Sequence, residues 1–219
     1  MKHSVERSLE IDNVSRETGA LLEKVVSTYG EKLDAYAEQL LWWNKRINLV
    51  SRIVGLTGVS EHIRHSIIPV AMQCYKGGEL VLDTGTGGGL PGLPLAITLP
   101  DCHFLLNDIS EKKSMVLKEL VKSLGLQNCE VVTGDLGRLV IEEPCTLTTK
   151  HAFKLTDIIS KSNNVNWERA IVYKGSDFFT DLREIKNKMP IKAYDLSEFE
   201  PVKFYKQKFI LLIDKIVDK

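Results

Sequence analysis

The stretch Glu79 to Gly92, ELVLDTGTGGGLPG, constrains the fold more than any other part of the chain. Leu80, Val81 and Leu82 form a short apolar run that stops at an acid, Asp83, and then at five glycines, Gly85, Gly87, Gly88, Gly89 and Gly92. A run bounded in this way predicts a buried strand feeding a tight turn. Such glycines can take positive φ and let the backbone approach a bound molecule, and fixing them costs entropy that packing does not return. A ligand is expected at the turn. Pro91 has the fixed φ and missing donor that suit the first position of a helix, so a helix is expected to begin near Leu90.

The next segments repeat the pattern. Phe104 to Leu106 reads as a second strand ending in Asp108, Lys112 to Leu124 as a helix closed by Gly125, and Cys129 to Val132 as a third strand leading to Asp135. Strands alternating with helices predict a parallel sheet with right-handed crossovers. Ligands in such sheets sit at the carboxyl ends of the strands, where Asp83, Asp108 and Asp135 all fall. Ala170 to Tyr173 is a further strand, and the extended runs Ile191 to Tyr194 and Lys208 to Ile213 predict an antiparallel closing hairpin.

Two ligands fit the turn. Gly87, Gly89 and Gly92 satisfy GxGxxG, with Asp108 about where a ribose-binding acid should fall, as in a NAD-dependent oxidoreductase. From Asp83 the run is DxGxGxG, which resembles the pattern of methyltransferases that use S-adenosylmethionine. A carboxylate at Asp83 would repel a pyrophosphate and favour an ammonium and a sulfonium, so Asp83 selects the second ligand. Asp108 would take ribose hydroxyls in either case.

Ahead of the turn the chain reads as helical. Residues 1 to about 15 are polar, frayed or weakly helical. Leu21, Leu22, Val25 and Val26 have helical spacing up to Gly30, and Leu33, Tyr36, Ala37, Leu40 and Leu41 form a second, amphipathic helix. EHIRHSIIPV predicts another. The division is therefore a helical N-terminal extension, 1–76, packed on a main domain, 77–219. In between, WWNKRINLVSR mixes aromatic, amide and basic groups in a way that suits a nucleic-acid contact, although tryptophans beside a helix also serve as packing anchors.

Lysine plus arginine equals aspartate plus glutamate at 29 each, so the net charge gives no push toward nucleic acid. Basic contacts would have to be local, from Lys45, Arg46, Arg52, His62, Arg64 and His65, or from Lys186, Lys188, Lys192, Lys203, Lys206 and Lys208. No apolar run approaches the roughly 18 residues of a membrane span and the start is polar, so a soluble, cytoplasmic chain is expected. The four cysteines lack CxxC spacing, which argues against a metal site or a disulfide framework.

With WNKRINLVS, Ile63-Arg64-His65, LDTGTGGGLPGLPLAI and LLND in order, the chain resembles the glucose-inhibited division protein B family. These are bacterial small-subunit ribosomal RNA methyltransferases that modify guanine at N7. The resemblance spans roughly Leu40 to Ile213. It implies an α/β, Rossmann-like S-adenosylmethionine-dependent methyltransferase fold, S-adenosylmethionine as cofactor and small-subunit ribosomal RNA as partner; a monomer is expected. It also implies cofactor contacts at Gly85 and Leu90, with Leu136 and Gly137 holding the adenine by backbone groups. The candidate cofactor residues are thus Asp83, Gly85, Gly87, Gly89, Leu90, Asp108, Asp135, Leu136, Gly137 and His151. The candidate RNA residues are Asn44, Lys45, Arg46, Arg64, His65, Lys150, His151 and Lys174.

Two departures stand out. The family shows Ser-Arg-Ala where this chain has TTKHAF, which puts His151 at the arginine's place with Lys150 beside it; Gly137 stands where an acid is frequent. A histidine is only partly charged near neutral pH, so activity is expected to fall as pH rises through its titration if its imidazolium makes the contact. Guanine N7 already carries a lone pair, so no general base, no catalytic acid/base residue and no metal are expected. The chain accordingly has no Asn/Asp-Pro-Pro-Tyr loop. The departures leave open a chain that keeps the fold and binds RNA or cofactor without transfer.

Overall fold

The structure, a computed structural model, describes residues 9–50, 55–185, 189–199 and 202–215. Eight strands, β1 (Leu9–Asn13), β2 (Leu80–Thr84), β3 (His103–Asp108), β4 (Cys129–Thr133), β5 (Ile141–Lys150), β6 (Val165–Gly175), β7 (Ile191–Asp195) and β8 (Lys208–Asp214), form one sheet in the order β1-β7-β8-β6-β5-β2-β3-β4. All pairs are parallel except those of β8, which runs antiparallel to both β6 and β7. This is a mostly parallel, Rossmann-like sheet with an antiparallel closing strand. The chain runs outward from β2 through β3 to β4 and then returns to the other side of β2 as β5, so the topological switch lies beside the glycine turn.

Period-two alternation divides the core. Val81, Phe104, Leu106, Ile171 and Tyr173 point to the face covered by α1 (Arg16–Asn44), α2 (Leu56–Ala71), α3 (Gly92–Thr98) and α4 (Glu111–Ser123). Leu80, Leu82, Leu147, Val172 and Leu211 point to the face covered by α5 (Leu155–Lys161) and α6 (Phe178–Glu184). A short α7 (Val202–Tyr205) precedes β8.

Three expectations change. The two helices expected either side of Gly30 are one 29-residue helix, α1, capped by Ser15, whose Oγ accepts from Thr18 N at 3.1 Å. Glycine inside a helix costs about 1 kcal/mol, and the burial of Leu22, Leu33, Tyr36 and Leu40 in a single core outweighs it. Residues 9–13, expected frayed or helical, form the edge strand β1 alongside β7, where Lys192 pairs with Asp12 at 2.9 Å and Glu10 at 3.6 Å. Such an edge strand is held largely by backbone pairing and cross-strand charges, with Leu9 reaching the core and Ile11 left exposed, so its four alternating residues are too short a signal to tell from a polar tail. Finally, α3 begins at Gly92 rather than near Leu90, because residues up to Pro91 are spent on the turn. Arg52, Lys186 and Lys188 lie outside the described residues.

Candidate functional site

The turn after β2 is held from every side. Gly89 and Leu90 N–H groups donate to Thr86 O at 2.9 and 3.0 Å, closing the turn on itself. Thr86 N donates to Asn107 O at 3.0 Å and Gly87 N to Asp108 Oδ2 at 2.9 Å, tying it to the end of β3. Thr149 Oγ1 donates to Thr84 O at 2.8 Å from β5. From α1, the Tyr36 hydroxyl donates to Gly88 O at 2.9 Å. Tyr36 was legible in the sequence only as a core position of its helix.

Close packing explains two of the glycines. A Cβ on Gly85, whose φ is +69°, would lie 2.5 Å from the Ala152 Cβ. A Cβ on Gly92 would lie 2.3 Å from Leu106 Cδ2 and 2.5 Å from Asp83 Oδ2. Only a bare backbone lets α3 sit this near the sheet.

Beneath the turn, Asp83 is wholly buried, and its Oδ2 accepts from Gly92 N at 2.7 Å. Burial pushes its carboxyl up to about 7. The nearby Thr86 hydroxyl draws the other way, yet neither Asp83 Oδ1 nor Thr86 Oγ1 closes a hydrogen bond among the described residues.

Above the turn opens a cavity of about 630 Å³ at the carboxyl ends of β2 to β5. Its walls are the turn, Asn107 to Ile109, Gly134 to Leu136 and Lys150 to Phe153, together with Leu49 and Val50 from the loop after α1, His62 from α2, Lys113 and Lys161. Of the sequence candidates, Gly85, Gly87, Leu90, Asp108, Asp135, Leu136, Lys150 and His151 line it. Asp108 keeps acceptor capacity for a ligand, since each of its oxygens takes one backbone donor, Gly87 N and Ser110 N, both at 2.9 Å. Asp135 caps a short 3-10 turn, Leu136–Arg138, by accepting from Gly137 N at 2.8 Å. Asp83, Gly89 and Gly137 are not part of the lining. Asp83 is instead wholly buried beneath the turn.

The expected RNA residues scatter. Lys45 and Arg46 are exposed, and the Arg46 guanidinium lies 3.5 Å from the centre of the Trp42 ring, which is half-exposed. Asn44 instead holds the following loop, its Oδ1 accepting from Leu49 N at 2.8 Å and Val50 N at 2.9 Å. Arg64 pairs with Glu23. His65 is fully buried against the Tyr173, Phe204 and Tyr205 rings. Lys174 is buried and committed to Asp181 Oδ2 at 2.9 Å and to the Phe153 carbonyl at 3.2 Å. Asp177 Oδ2 lies 3.6 Å away as a third acceptor, so from inside β6 Lys174 fastens that strand to α6 with all three of its donors directed at the protein.

Three histidines and two lysines crowd behind the cavity. His151 takes a left-handed φ of +54° and keeps an exposed edge, yet desolvation and then the Lys150 charge push its imidazole down to about 4. The same causes push His62 down to about 3 and His65 well below the usual range. All three are neutral near pH 7. His151 consequently cannot supply the permanent charge of the arginine it replaces, and the expected decline of activity through its titration near neutral pH loses its basis. Lys150 is buried, and burial likewise pulls its amine well below the usual lysine value.

The profile of the family described as rRNA small subunit methyltransferase G (GidB) matches residues 30–209. A protein named ribosomal RNA small subunit methyltransferase G from Flavobacterium psychrophilum is 32% identical over 192 residues, 84% of this chain and 88% of that one. Its namesake from Chlorobium limicola is 43% identical over 127 residues, 58% of this chain and 56% of the other. That matched stretch is little over half the length of the Chlorobium protein. Among solved structures, the O-methyltransferase of Bacillus cereus in complex with SAH superposes with a TM-score of 0.59 at 18% identity, covering 83% of this chain and 91% of that one. An rRNA methylase from Streptococcus thermophilus gives 0.51 at 16% identity, over 68% and 97%. At these identities the superpositions establish the fold.

Proposed function

We propose, from the premise that the chain belongs to the rRNA small subunit methyltransferase G family, that it transfers a methyl group from S-adenosylmethionine to N7 of a guanine in small-subunit ribosomal RNA. The observation that carries the reading within the molecule is the cavity at the switch point. Its volume of about 630 Å³ falls within the roughly 300–1,000 Å³ of small-ligand sites. Gly85 brings bare backbone to its wall, and Asp108 offers carboxylate lone pairs to it. Those are features that a nucleoside with ribose hydroxyls fits. Asp108 would accept from the hydroxyls, the backbone at Asp135 and Leu136 would face the adenine, and Ile109, which is 70% exposed, would offer it an apolar flank opposite Leu136. When bound, S-adenosylmethionine supplies a methyl group on a positively charged sulfur.

Guanine N7 presents an in-plane lone pair and carries no proton. No side chain has to act as a base, and what the chain contributes is alignment and exclusion of water. Leu49, Val50 and Phe153 form apolar walls suited to that second task. The exposed Lys45, Arg46 and Trp42 face is the better candidate for RNA contact, with a ring to stack and cations for phosphates. Among the described residues no helix is long and apolar enough to cross a membrane, and we place the enzyme in the cytoplasm as a monomer.

The test is transfer of a labelled methyl group to undermethylated small-subunit ribosomal RNA, with the modified base mapped by mass spectrometry. Label in 7-methylguanosine is expected. Label on another base, or binding of cofactor without transfer, would overturn the assignment.

A further inference from the structure

We propose that Lys150 is an oxyanion subsite of the cavity, its amine receiving the carboxylate at the aminoacyl end of the bound cofactor. This rests on reading the cavity as an S-adenosylmethionine site. Lys150 sits at the carboxyl end of β5, on the cavity wall, with 9% of its surface exposed. Its Nζ donates to His62 O at 2.8 Å and to Ser66 Oγ at 3.1 Å. Once protonated the amine has three donors, and only two have acceptors among the described residues, which leaves the third for an incoming anion. None of those residues places a carboxylate within ion-pair distance of it. The other buried lysine, Lys174, shows the ordinary solution, a carboxylate at 2.9 Å. A buried cation with no counter-ion is costly, and an anion entering the cavity would offset that cost.

The surroundings leave that role open. From α2, His62 contributes its carbonyl, and His65 lies fully buried with both ring nitrogens unpartnered among the described residues. His151 follows in sequence, the Tyr173 ring of β6 lies 5.7 Å from Nζ, and Lys208 of β8 adds a second positive charge. The acid whose charge reaches Lys150 is Asp83 of β2, and its Oδ2 is already held by Gly92 N. Burial pulls the Lys150 amine toward neutrality, and an arriving anion would draw a proton onto it. A carboxylate is favoured over an RNA phosphate on steric grounds. A terminal carboxylate can reach a buried amine, whereas a phosphodiester carries a ribose on each side and needs open surface.

Calorimetry on the whole protein with two ligands tests this: S-adenosylhomocysteine, and S-adenosyl-3-thiopropylamine, which lacks only the carboxylate. The wild type should bind the first about ten- to a hundredfold more tightly, the range for a hydrogen bond to a charged group. Lys150→Met should lose that preference while keeping its affinity for the second. Proton uptake, read from binding heats in buffers of different ionisation enthalpy, should accompany only the carboxylate ligand. Equal affinity of the wild type for both ligands overturns the proposal even if the variant does not fold. So does a Lys150→Met variant that keeps the preference, or one that binds both ligands normally and loses only RNA affinity, which would make Lys150 a phosphate contact. If the wild type binds neither ligand, the cofactor reading itself fails.

Discussion

Replacing Asp83 by asparagine separates support of the turn from contact with the ligand. The carboxyl is wholly buried and is pushed from 3.8 up to about 7. In the unfolded chain it ionises near 3.9. Between these values the folded state holds a proton that the unfolded state has released, so stability falls as pH rises through the window from about 4 to about 7. Three units at 1.36 kcal/mol each make the loss about 4 kcal/mol. The asparagine side chain would keep an oxygen for the Gly92 N–H and turn its amide toward the Thr86 hydroxyl, which has no partner now among the described residues. Urea unfolding of both proteins at intervals from pH 4 to pH 8 should therefore show Asp83→Asn gaining on the wild type by up to about 4 kcal/mol, with the gain complete just above pH 7. Affinity for S-adenosylhomocysteine should stay within about threefold, less than 1 kcal/mol, because Asp83 does not line the cavity. Parallel stability curves would refute the burial argument. A folded Asp83→Asn protein that no longer binds would show that the carboxylate touches the ligand after all.

Gly85→Val should weaken cofactor binding by more than about tenfold, or 1.4 kcal/mol, since its side chain must displace Ala152 and Phe153 from the cavity wall; calorimetry on the folded variant checks this. Lys174→Met should lower stability by about 3–5 kcal/mol, the usual cost of stranding a buried charge, here Asp181. RNA affinity measured where the variant is folded should not change. Arg46→Ala should instead leave stability within about 0.5 kcal/mol and reduce the salt dependence of RNA binding by about one unit of slope, read from titrations at several salt concentrations. Between pH 6 and 8 no titration of His151 should appear in the transfer rate, because its imidazole is already neutral above about 4. A pH profile that flattens on His151→Arg would contradict this.

What the sequence determined by itself was local: where strands end, where glycine is required and which acids follow. The run from Leu80 to Gly92 announced its strand and turn because apolar length, an acid and glycines report backbone conformation directly. The same local logic put Asp108 and Asp135 at strand ends, and both line the cavity. Tertiary structure decided who pairs with whom. Asp83 and Asp108 look alike in sequence, yet one is sealed under α3 by Gly92 and the other opens into the cavity. Lys150 and Lys174 both lie at the carboxyl ends of buried strands, and only the second meets an acid, Asp181, carried by α6. Gly30 signals a helix end because propensity is local, and burial of residues on both sides of it carries α1 through. β1 was invisible because its support, β7, lies near the other end of the chain. A charge or an edge acquires its role from groups brought near it by folding, and no short window of sequence contains them.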